Sequence, residues 1–178
     1  MVEIEKLLVI EDENLLEEIV AFNREVFAEL DASSPFRQSF PDHELRKMLV
    51  NDSIVKYVLF DEGKVIGLGI LASDIGIDPY LSLPYFEKEY PGVELRYIPI
   101  LAIGKDYRQG GNVRMLLMAM INEVPPRAVC ILLAVEPQNA GIPLLVRHLG
   151  GDKVEGERLR GREVCYAFRW TNPDNAHI

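Results

Sequence analysis

The sequence has few cysteines, no long apolar run and no excess of basic residues, and each absence excludes a class of protein. Its two cysteines, Cys130 and Cys165, lie in apolar, strand-like runs and belong to no Cys-x-x-Cys or Cys/His spacing. We therefore expect buried thiols in a reducing compartment, with no disulfide framework and no metal site. No apolar run approaches the ~20 residues that span a bilayer. The acidic first residues lack the basic region of a secretory signal peptide, so we expect a soluble, cytoplasmic protein without membrane contact.

The charge of the chain is strongly one-sided. It has 28 Asp and Glu residues against 19 Lys and Arg residues, which gives a net charge of −9. A protein that binds nucleic acid without sequence preference needs a basic face, so we expect no nucleic-acid partner. One local basic cluster is nevertheless present, at Lys105, Arg108 and Arg114. In an otherwise acidic chain, such a cluster would attract an anionic ligand.

The length and the hydrophobic pattern predict one globular domain. With 178 residues, of which 48% are hydrophobic, the chain is long enough to bury a sizeable core. We expect this domain to cover residues 1–170 and to be followed by a polar tail at 171–178. No internal repeat or linker interrupts it.

The periodicity of apolar residues predicts alternating helices and strands. Helices are expected over Glu13–Leu30, His43–Asn51, Gly111–Glu123 and Ala140–Leu149, with Asp42 capping the second of them. Strands are expected over Lys6–Ile10, Ile54–Phe60, Lys64–Ser73, Leu95–Ile103, Val129–Val135, Lys153–Arg158 and Glu163–Trp170. The segment Asp74–Gly92 has no clean period and is expected to be a long loop with about one helical turn. This order predicts an α/β fold, a mixed sheet with helices on both faces.

The most informative local pattern is a strand that runs into a glycine turn and then directly into a helix. The turn reads Arg108-Gln109-Gly110-Gly111-Asn112. Glycines let the backbone approach a ligand closely, and the first N–H groups of a helix have no internal partners. Together with the helix dipole they form an anion site. The turn lacks the Gly-Lys-Ser/Thr of a P-loop and the three-glycine spacing of a dinucleotide fingerprint.

With these motifs the chain resembles the GNAT acyltransferase superfamily over nearly its full length. The family's phosphate turn, Arg/Gln-x-x-Gly-x-Gly/Ala, is matched by Arg108–Val113, and the family's Asn after the next strand is matched by Asn139. The resemblance implies the acyl-CoA N-acyltransferase (GNAT-like) fold and acetyl-CoA, or another acyl-CoA, as co-substrate. It assigns to the binding of that co-substrate Leu101, Ile103, Arg108, Gln109, Gly110, Gly111, Asn112, Val113, Arg114 and Asn139.

The catalytic half of the pattern departs from the family. Val113 replaces a small residue of the turn, and Val146 stands where the family often has a Tyr that protonates the leaving thiolate. The position of the family's general base is Tyr97, with Glu94 just before it. The resemblance therefore implies Tyr97 and Glu94 as acid–base candidates. The alternative interpretations are strand packing for Tyr97 and a solvated or salt-bridged carboxylate for Glu94. Two further carboxylates, Asp74 and Glu136, are weaker candidates for the base.

The long segment Asp74–Gly92 is rich in aromatic residues and has two interpretations. It either forms the wall of the site for the acceptor, with Tyr80, Tyr85 and Phe86 in contact with the substrate, or it covers a sheet edge or a homodimer contact. Long loops in compact domains are often functional.

Three functions are compatible with this sequence. The leading one is an acetyl-CoA-dependent N-acyltransferase, in which an amine of a small molecule, peptide or protein attacks the thioester directly. The second is a non-catalytic CoA-binding or regulatory module on the same fold, which Val146 favours. The third is a structural or partner-binding domain without a cofactor, which Val113 allows.

Overall fold

The computed structural model describes the larger part of the chain, namely residues 1–33, 39–73, 83–125, 128–135, 145, 148–149, 151–154 and 165–171. Its contacts divide the chain into two compact units. The first consists of Met1–Leu71 and Ile100–Met120, and the second of Ala72–Pro99 and Ile121–Ile178.

The first unit is built on an antiparallel arrangement of strands. Its elements are β1 (Val2–Leu7), α1 (Glu13–Ser33), α2 (Asp42–Val50), β2 (Val55–Asp61), β3 (Lys64–Ala72), the end of β4 (Leu95–Ile103) and α4 (Asn112–Ile121). Strand β1 pairs with β2 from Val2 opposite Asp61 to Leu7 opposite Lys56. Strand β2 pairs with β3 in the predicted hairpin, and β4 follows β3 in the sheet.

The helix α4 packs closely on β3 because glycines leave room for it. A Cβ atom added at Gly69 would lie 2.7 Å from the sulfur of Met120 and 3.1 Å from Leu116. The other face of the strand is also covered, since Ile66, Leu68 and Ile70 are at most 1% exposed. A strand buried on both faces reads as a continuous apolar run, which is why its bounds were predictable.

Two predictions in this unit are wrong. The first strand is Val2–Leu7, not Lys6–Ile10. It lies at an edge of the sheet and alternates apolar with charged residues, whereas Leu8 and Val9 of the apolar run are 54% and 37% exposed. Asp42 does not cap α2 either. It is the first helical residue, Pro41 precedes it as the N-cap, and no side chain makes a capping hydrogen bond there.

The second unit contains both parallel and antiparallel strand pairs. Its elements are α3 (Leu83–Glu89), the beginning of β4, β5 (Val129–Val135), β6 (Asp152–Val154) and β7 (Cys165–Thr171). Strand β4 pairs with β5 in parallel from Leu95 opposite Val129 to Ile98 opposite Leu132. Strand β7 runs antiparallel to β5 and to β6. The α/β fold class with a mixed sheet and helices is therefore confirmed.

The remaining element predictions differ in detail. The bounds of β4 and β5 are as predicted, and α3 forms seven residues of helix inside the segment predicted as a loop. Helix α4 ends at Ile121, two residues early, and β7 includes Thr171, the first residue of the predicted tail. The predicted helix Ala140–Leu149 lies mostly outside the described residues. No helix of the described ranges is long and apolar enough to cross a membrane.

Candidate functional site

The glycine turn begins where β4 ends, in the first unit. The N–H of Gly104 donates to the carbonyl of Ile66 on β3 at 2.9 Å, which ties the chain after the strand to the sheet. A short 3-10 turn, Lys105–Tyr107, follows and is closed by a hydrogen bond of 2.9 Å from Tyr107 N to Gly104 O. The exit of the strand is thus fixed before the glycines are reached.

Gly110 and Gly111 are both in a backbone conformation that favours glycine. Their φ angles are 82° and 87°, a region that L-residues with a Cβ atom adopt only at an energetic cost. A Cβ atom built on either glycine would meet no atom of the described structure within 4 Å. The space above both glycines is therefore open, and a ligand can approach the backbone there.

The first N–H groups of α4 border this open space. The first α-helical hydrogen bond after the turn runs from Met115 N to Gly111 O at 2.9 Å. The N–H groups of Asn112, Val113 and Arg114 come before it and have no intrahelical acceptor. Because the positive end of the helix dipole lies at the same place, these groups can hold a phosphate.

Two side chains of the predicted binding set brace the turn from within. The side-chain amide of Asn112 donates to the carbonyl of Tyr107 at 2.9 Å, and Nε of Arg108 donates to the carbonyl of Ile103 at 3.2 Å. The Arg108 bond uses only Nε and leaves the two terminal nitrogens of the guanidinium for a ligand. These bracing roles were not predictable, because they depend on how the turn is folded.

Tyr107 is a residue of this region that the sequence did not single out. Desolvation is the largest cause that raises the pKa of its hydroxyl, and the charge of Asp61 and a hydrogen bond to that carboxylate raise it further. Asp61 ends β2 at the hairpin turn. The bond between them links the hairpin to the residues just before the glycines.

A cleft of about 180 Å³ lies beside the turn. Its wall contains Lys64, Lys105 and Arg108, but also the carboxylates of Glu25 and Asp106. The predicted basic cluster therefore faces partial neutralisation on this side. Its attraction for an anion depends mainly on the backbone N–H groups of the turn.

Tyr97, the first acid–base candidate, lies in the core of the second unit. It is 1% exposed and belongs to a buried cluster with Phe86, Val129 and Ile131. This burial favours the alternative interpretation, in which the ring serves strand packing. A catalytic role for Tyr97 stays a prediction.

Glu94, the second candidate, is in a different environment. It precedes β4, its side chain is 50% exposed, and it forms an ion pair with Arg96. Its backbone carbonyl accepts a hydrogen bond of 2.9 Å from Val129 N. The ion pair favours the interpretation of a salt-bridged carboxylate, and a role as base also stays a prediction.

The aromatic residues proposed for the acceptor site pack on one another. The rings of Phe86 and Tyr85 meet edge to face at 5.2 Å, and those of Phe86 and Tyr90 stack at 6.5 Å. Phe86 is 3% exposed, and Tyr85 is half-buried beside the same cluster. These contacts favour a packing role for Phe86 and leave Tyr85 as the candidate with accessible surface.

Several predicted site residues lie outside the described residues. They are Asn139 and Tyr80 of the binding predictions, the carboxylates Asp74 and Glu136, and Val146.

The thiol of Cys130 is free and completely buried, as expected. Burial raises its pKa to about 12, so the thiol is unreactive near neutral pH. Within the described ranges, no group of three or more His, Cys, Asp or Glu residues could hold a metal ion.

The sequence matches no protein-family model and no curated protein, but solved structures match nearly the whole chain. Arabidopsis thaliana NAA60, in complex with a bisubstrate analogue, has a TM-score of 0.66 at 18% identity, covering 94% of this chain and 97% of its own. The Thermoplasma acidophilum PaiA N-acetyltransferase, in complex with coenzyme A, has a TM-score of 0.66 at 16% identity, covering 97% and 99%. The Escherichia coli ribosomal-protein-S18-alanine N-acetyltransferase has a TM-score of 0.62 at 16% identity, covering 95% and 92%. The chain has the GNAT fold.

On this GNAT fold, the residues of the turn fit the phosphates of a CoA molecule. The open space above Gly110 and Gly111 admits a phosphate against the backbone, and the N–H groups at the start of α4 supply its donors. Val113, where the family has a small residue, is half-buried. The open space lies over the glycines themselves, so this side chain does not close the turn.

Proposed function

We propose that this chain is an N-acyltransferase that uses acetyl-CoA as donor and an amine as acceptor. The observation that carries the proposal is the open, positive-φ turn Gly110-Gly111 at the carboxyl end of β4, followed directly by the N-terminus of α4. Open α/β sheets bind ligands at the carboxyl ends of their strands. The GNAT fold supports the same assignment, and acetyltransferases with this fold have been solved with acetyl-CoA or CoA bound.

The turn would hold the pyrophosphate of the donor. The backbone N–H groups of Gln109–Arg114 would bind its oxygens, and the terminal nitrogens of Arg108 would balance its charge. Leu101 and Ile103 would pair with the pantetheine arm through their backbones. Asn112 and Arg108 have a second role in this proposal, because their hydrogen bonds fix the turn before the ligand arrives.

The reaction that fits this arrangement is direct acyl transfer. The amine nitrogen forms a bond to the thioester carbonyl carbon, the carbon–sulfur bond breaks, and the sulfur leaves as thiol after taking up a proton. The developing oxyanion needs donors such as backbone N–H groups. The amine must lose a proton, which a carboxylate or an ordered water can accept. Glu94 is the candidate carboxylate with an accessible side chain, and Tyr97 offers a buried hydroxyl.

Ligand binding and turnover test the proposal separately. Because a ligand at about 100 times its Kd stabilises the folded state by about 2.7 kcal/mol, CoA should raise the melting temperature. A thiol-release assay with acetyl-CoA over a panel of small amines, peptides and proteins should then identify an acceptor. If millimolar CoA does not change the melting temperature, the CoA-binding part is wrong.

A second candidate function is a non-catalytic CoA-binding or regulatory module. Two observations favour it: Tyr97 is buried among apolar residues, and Glu94 is paired with Arg96. Saturable CoA binding without thiol release for any amine in the panel would support this module and contradict the enzyme. The cytoplasmic location and the homodimer remain predictions.

A further inference from the structure

A second cleft in the first unit lies between the later turns of α1 and the start of α2. Its volume is about 520 Å³, which is within the range of small-molecule sites. It is formed by Asn23, Arg24, Ala28, Ser39, Phe40, Pro41, Asp42 and His43. None of these residues lines the cleft beside the glycine turn.

Asn23 contributes a buried polar group to the wall of this cleft. The residue is 2% exposed, and within the described ranges its side-chain oxygen Oδ1 has no hydrogen-bond partner. Most buried polar side-chain atoms have a partner, so an exception of this kind requires an explanation. An N–H donor on a molecule bound in the cleft would supply the missing partner after a small movement of the Asn23 amide.

The charges around the cleft favour a cationic donor over an anion. Nη2 of Arg24 lies 2.5 Å from Oδ2 of Asp42, so the guanidinium charge is already balanced. The second oxygen of Asp42 takes no part in that bond and can accept from a ligand. An anion would meet two acceptors here, Asn23 Oδ1 and the Asp42 carboxylate, on a chain with a net charge of −9.

We propose that this cleft binds a small organic molecule with a primary ammonium group. The ammonium donates to Asn23 Oδ1 and to the carboxylate of Asp42, and the hydrocarbon part of the molecule packs against Phe40. The inference concerns binding alone. It does not rest on acyl transfer, because none of the residues involved belongs to the glycine turn.

Two probes of equal charge test the hydrogen bond. Butylammonium has three N–H donors, and N,N,N-trimethylbutylammonium has none. In proton–nitrogen correlation spectra without any CoA, millimolar butylammonium should give saturable shifts of the Asn23 side-chain amide and of the backbone amides of Phe40 and His43. Equal responses to the two probes, or no saturable response to butylammonium, would overturn the proposal.

Variants identify the groups that bind the ammonium. Asn23→Leu keeps the size of the side chain but removes the acceptor, and it should raise the Kd of butylammonium at least about tenfold. Asn14→Leu, on the exposed part of the same helix, is the control and should leave the Kd unchanged. Unchanged binding in Asn23→Leu contradicts the proposal.

Two surface variants test the proposal even if Asn23→Leu does not fold. Asp42→Asn removes the carboxylate and leaves Arg24 unbalanced, so it should weaken binding of butylammonium. Arg24→Gln leaves the carboxylate of Asp42 unpaired, so it should strengthen binding. Effects of these opposite signs support the proposal, and equal effects or none contradict it.

Discussion

Asn112 and Tyr107 are joined across the glycine turn by a hydrogen bond of 2.9 Å from the Asn112 side-chain amide to the Tyr107 backbone carbonyl. The bond closes a loop that contains both positive-φ glycines. Since Tyr107 is in turn bonded to Asp61 through its hydroxyl, the turn is held from two sides. Preorganisation of this kind lowers the entropy that a ligand would otherwise lose on binding.

Removing the amide of Asn112 should therefore affect both folding and ligand binding. We expect Asn112→Ala to lower the free energy of unfolding by about 1 kcal/mol and to raise the Kd of CoA. Denaturant titration and calorimetry measure the two effects. Asn14→Ala, near the start of α1, is the control and should leave the Kd of CoA unchanged. An unchanged Kd in Asn112→Ala would show that the bond serves the fold alone.

Substitutions at Gly111 should separate backbone strain from charge. Gly111→Ala and Gly111→Asp both place a side chain at a φ of 87°, so each should lose about 1–2 kcal/mol of stability. Only the Asp variant adds a carboxylate beside the bound phosphates, so it should bind CoA much more weakly than the Ala variant.

Gly63 provides a matched pair for this comparison. Its φ of 79° is similar, and a Cβ atom there also meets no described atom within 4 Å. The Ala and Asp variants at Gly63 should bind CoA equally well. If Gly111→Ala and Gly111→Asp also bind CoA equally, the glycine is only a turn residue.

The parts of the fold that were predictable from sequence are those with an unbroken or strictly periodic apolar pattern. Strands β4 and β5 have the predicted bounds, because each is an apolar run between polar segments. Strand β1 was misplaced because it lies at an edge, where only every second side chain is buried. Helix α3 was missed because it has seven residues and buries mainly Phe86.

The candidate site was predictable only as far as it depends on local sequence. Glycines before a helix predict the turn, and the positive φ angles of Gly110 and Gly111 agree with it. The bond between Tyr107 and Asp61 joins residues far apart in the sequence, so no local pattern contains it. The same is true of Tyr97, whose burial results from the packing of α3 on the strands.

The two acid–base candidates can be tested with conservative variants. Tyr97→Phe keeps the ring in its buried cluster, and Glu94→Gln keeps the size of an exposed side chain, so neither should change stability greatly. If the chain is an acyltransferase, one of them should lower kcat by about 10²–10⁴-fold. The other should leave kcat unchanged, because one residue is buried and the other lies outside the strand.

Matched controls for this pair are present on α3 and just after it. Tyr90→Phe and Glu89→Gln should leave kcat unchanged, since neither residue was assigned a role in proton transfer. If both Tyr97→Phe and Glu94→Gln retain the kcat of the wild type between about pH 6 and 9, proton transfer depends on positioned water, and the assignments are wrong.

The buried ammonium of Lys56 should make stability depend on pH in the alkaline range. Its residue is 0% exposed, and Nζ donates to the carbonyls of Leu8 at 2.6 Å and Asn51 at 2.5 Å. Desolvation lowers the pKa from 10.5 to about 8, while the charge of Asp52 acts in the opposite direction. Between these values the unfolded chain binds a proton that the folded chain does not, so the free energy of unfolding should rise with pH.

This contribution is complete above about pH 10.5 and is lost as the pH falls through about 8, and it amounts to at most about 3 kcal/mol. Lys56→Met removes it, so the rise between pH 8 and 10.5 should be smaller in this variant than in the wild type. Cys130 contributes a slope of opposite sign, because burial raises its pKa, but this slope is common to both proteins and cancels in the difference. Lys47→Met, at an exposed position on α2, should keep the wild-type slope. Denaturant titrations across this range measure all three proteins, and equal slopes for Lys56→Met and the wild type would show that Lys56 keeps its ordinary pKa despite its burial.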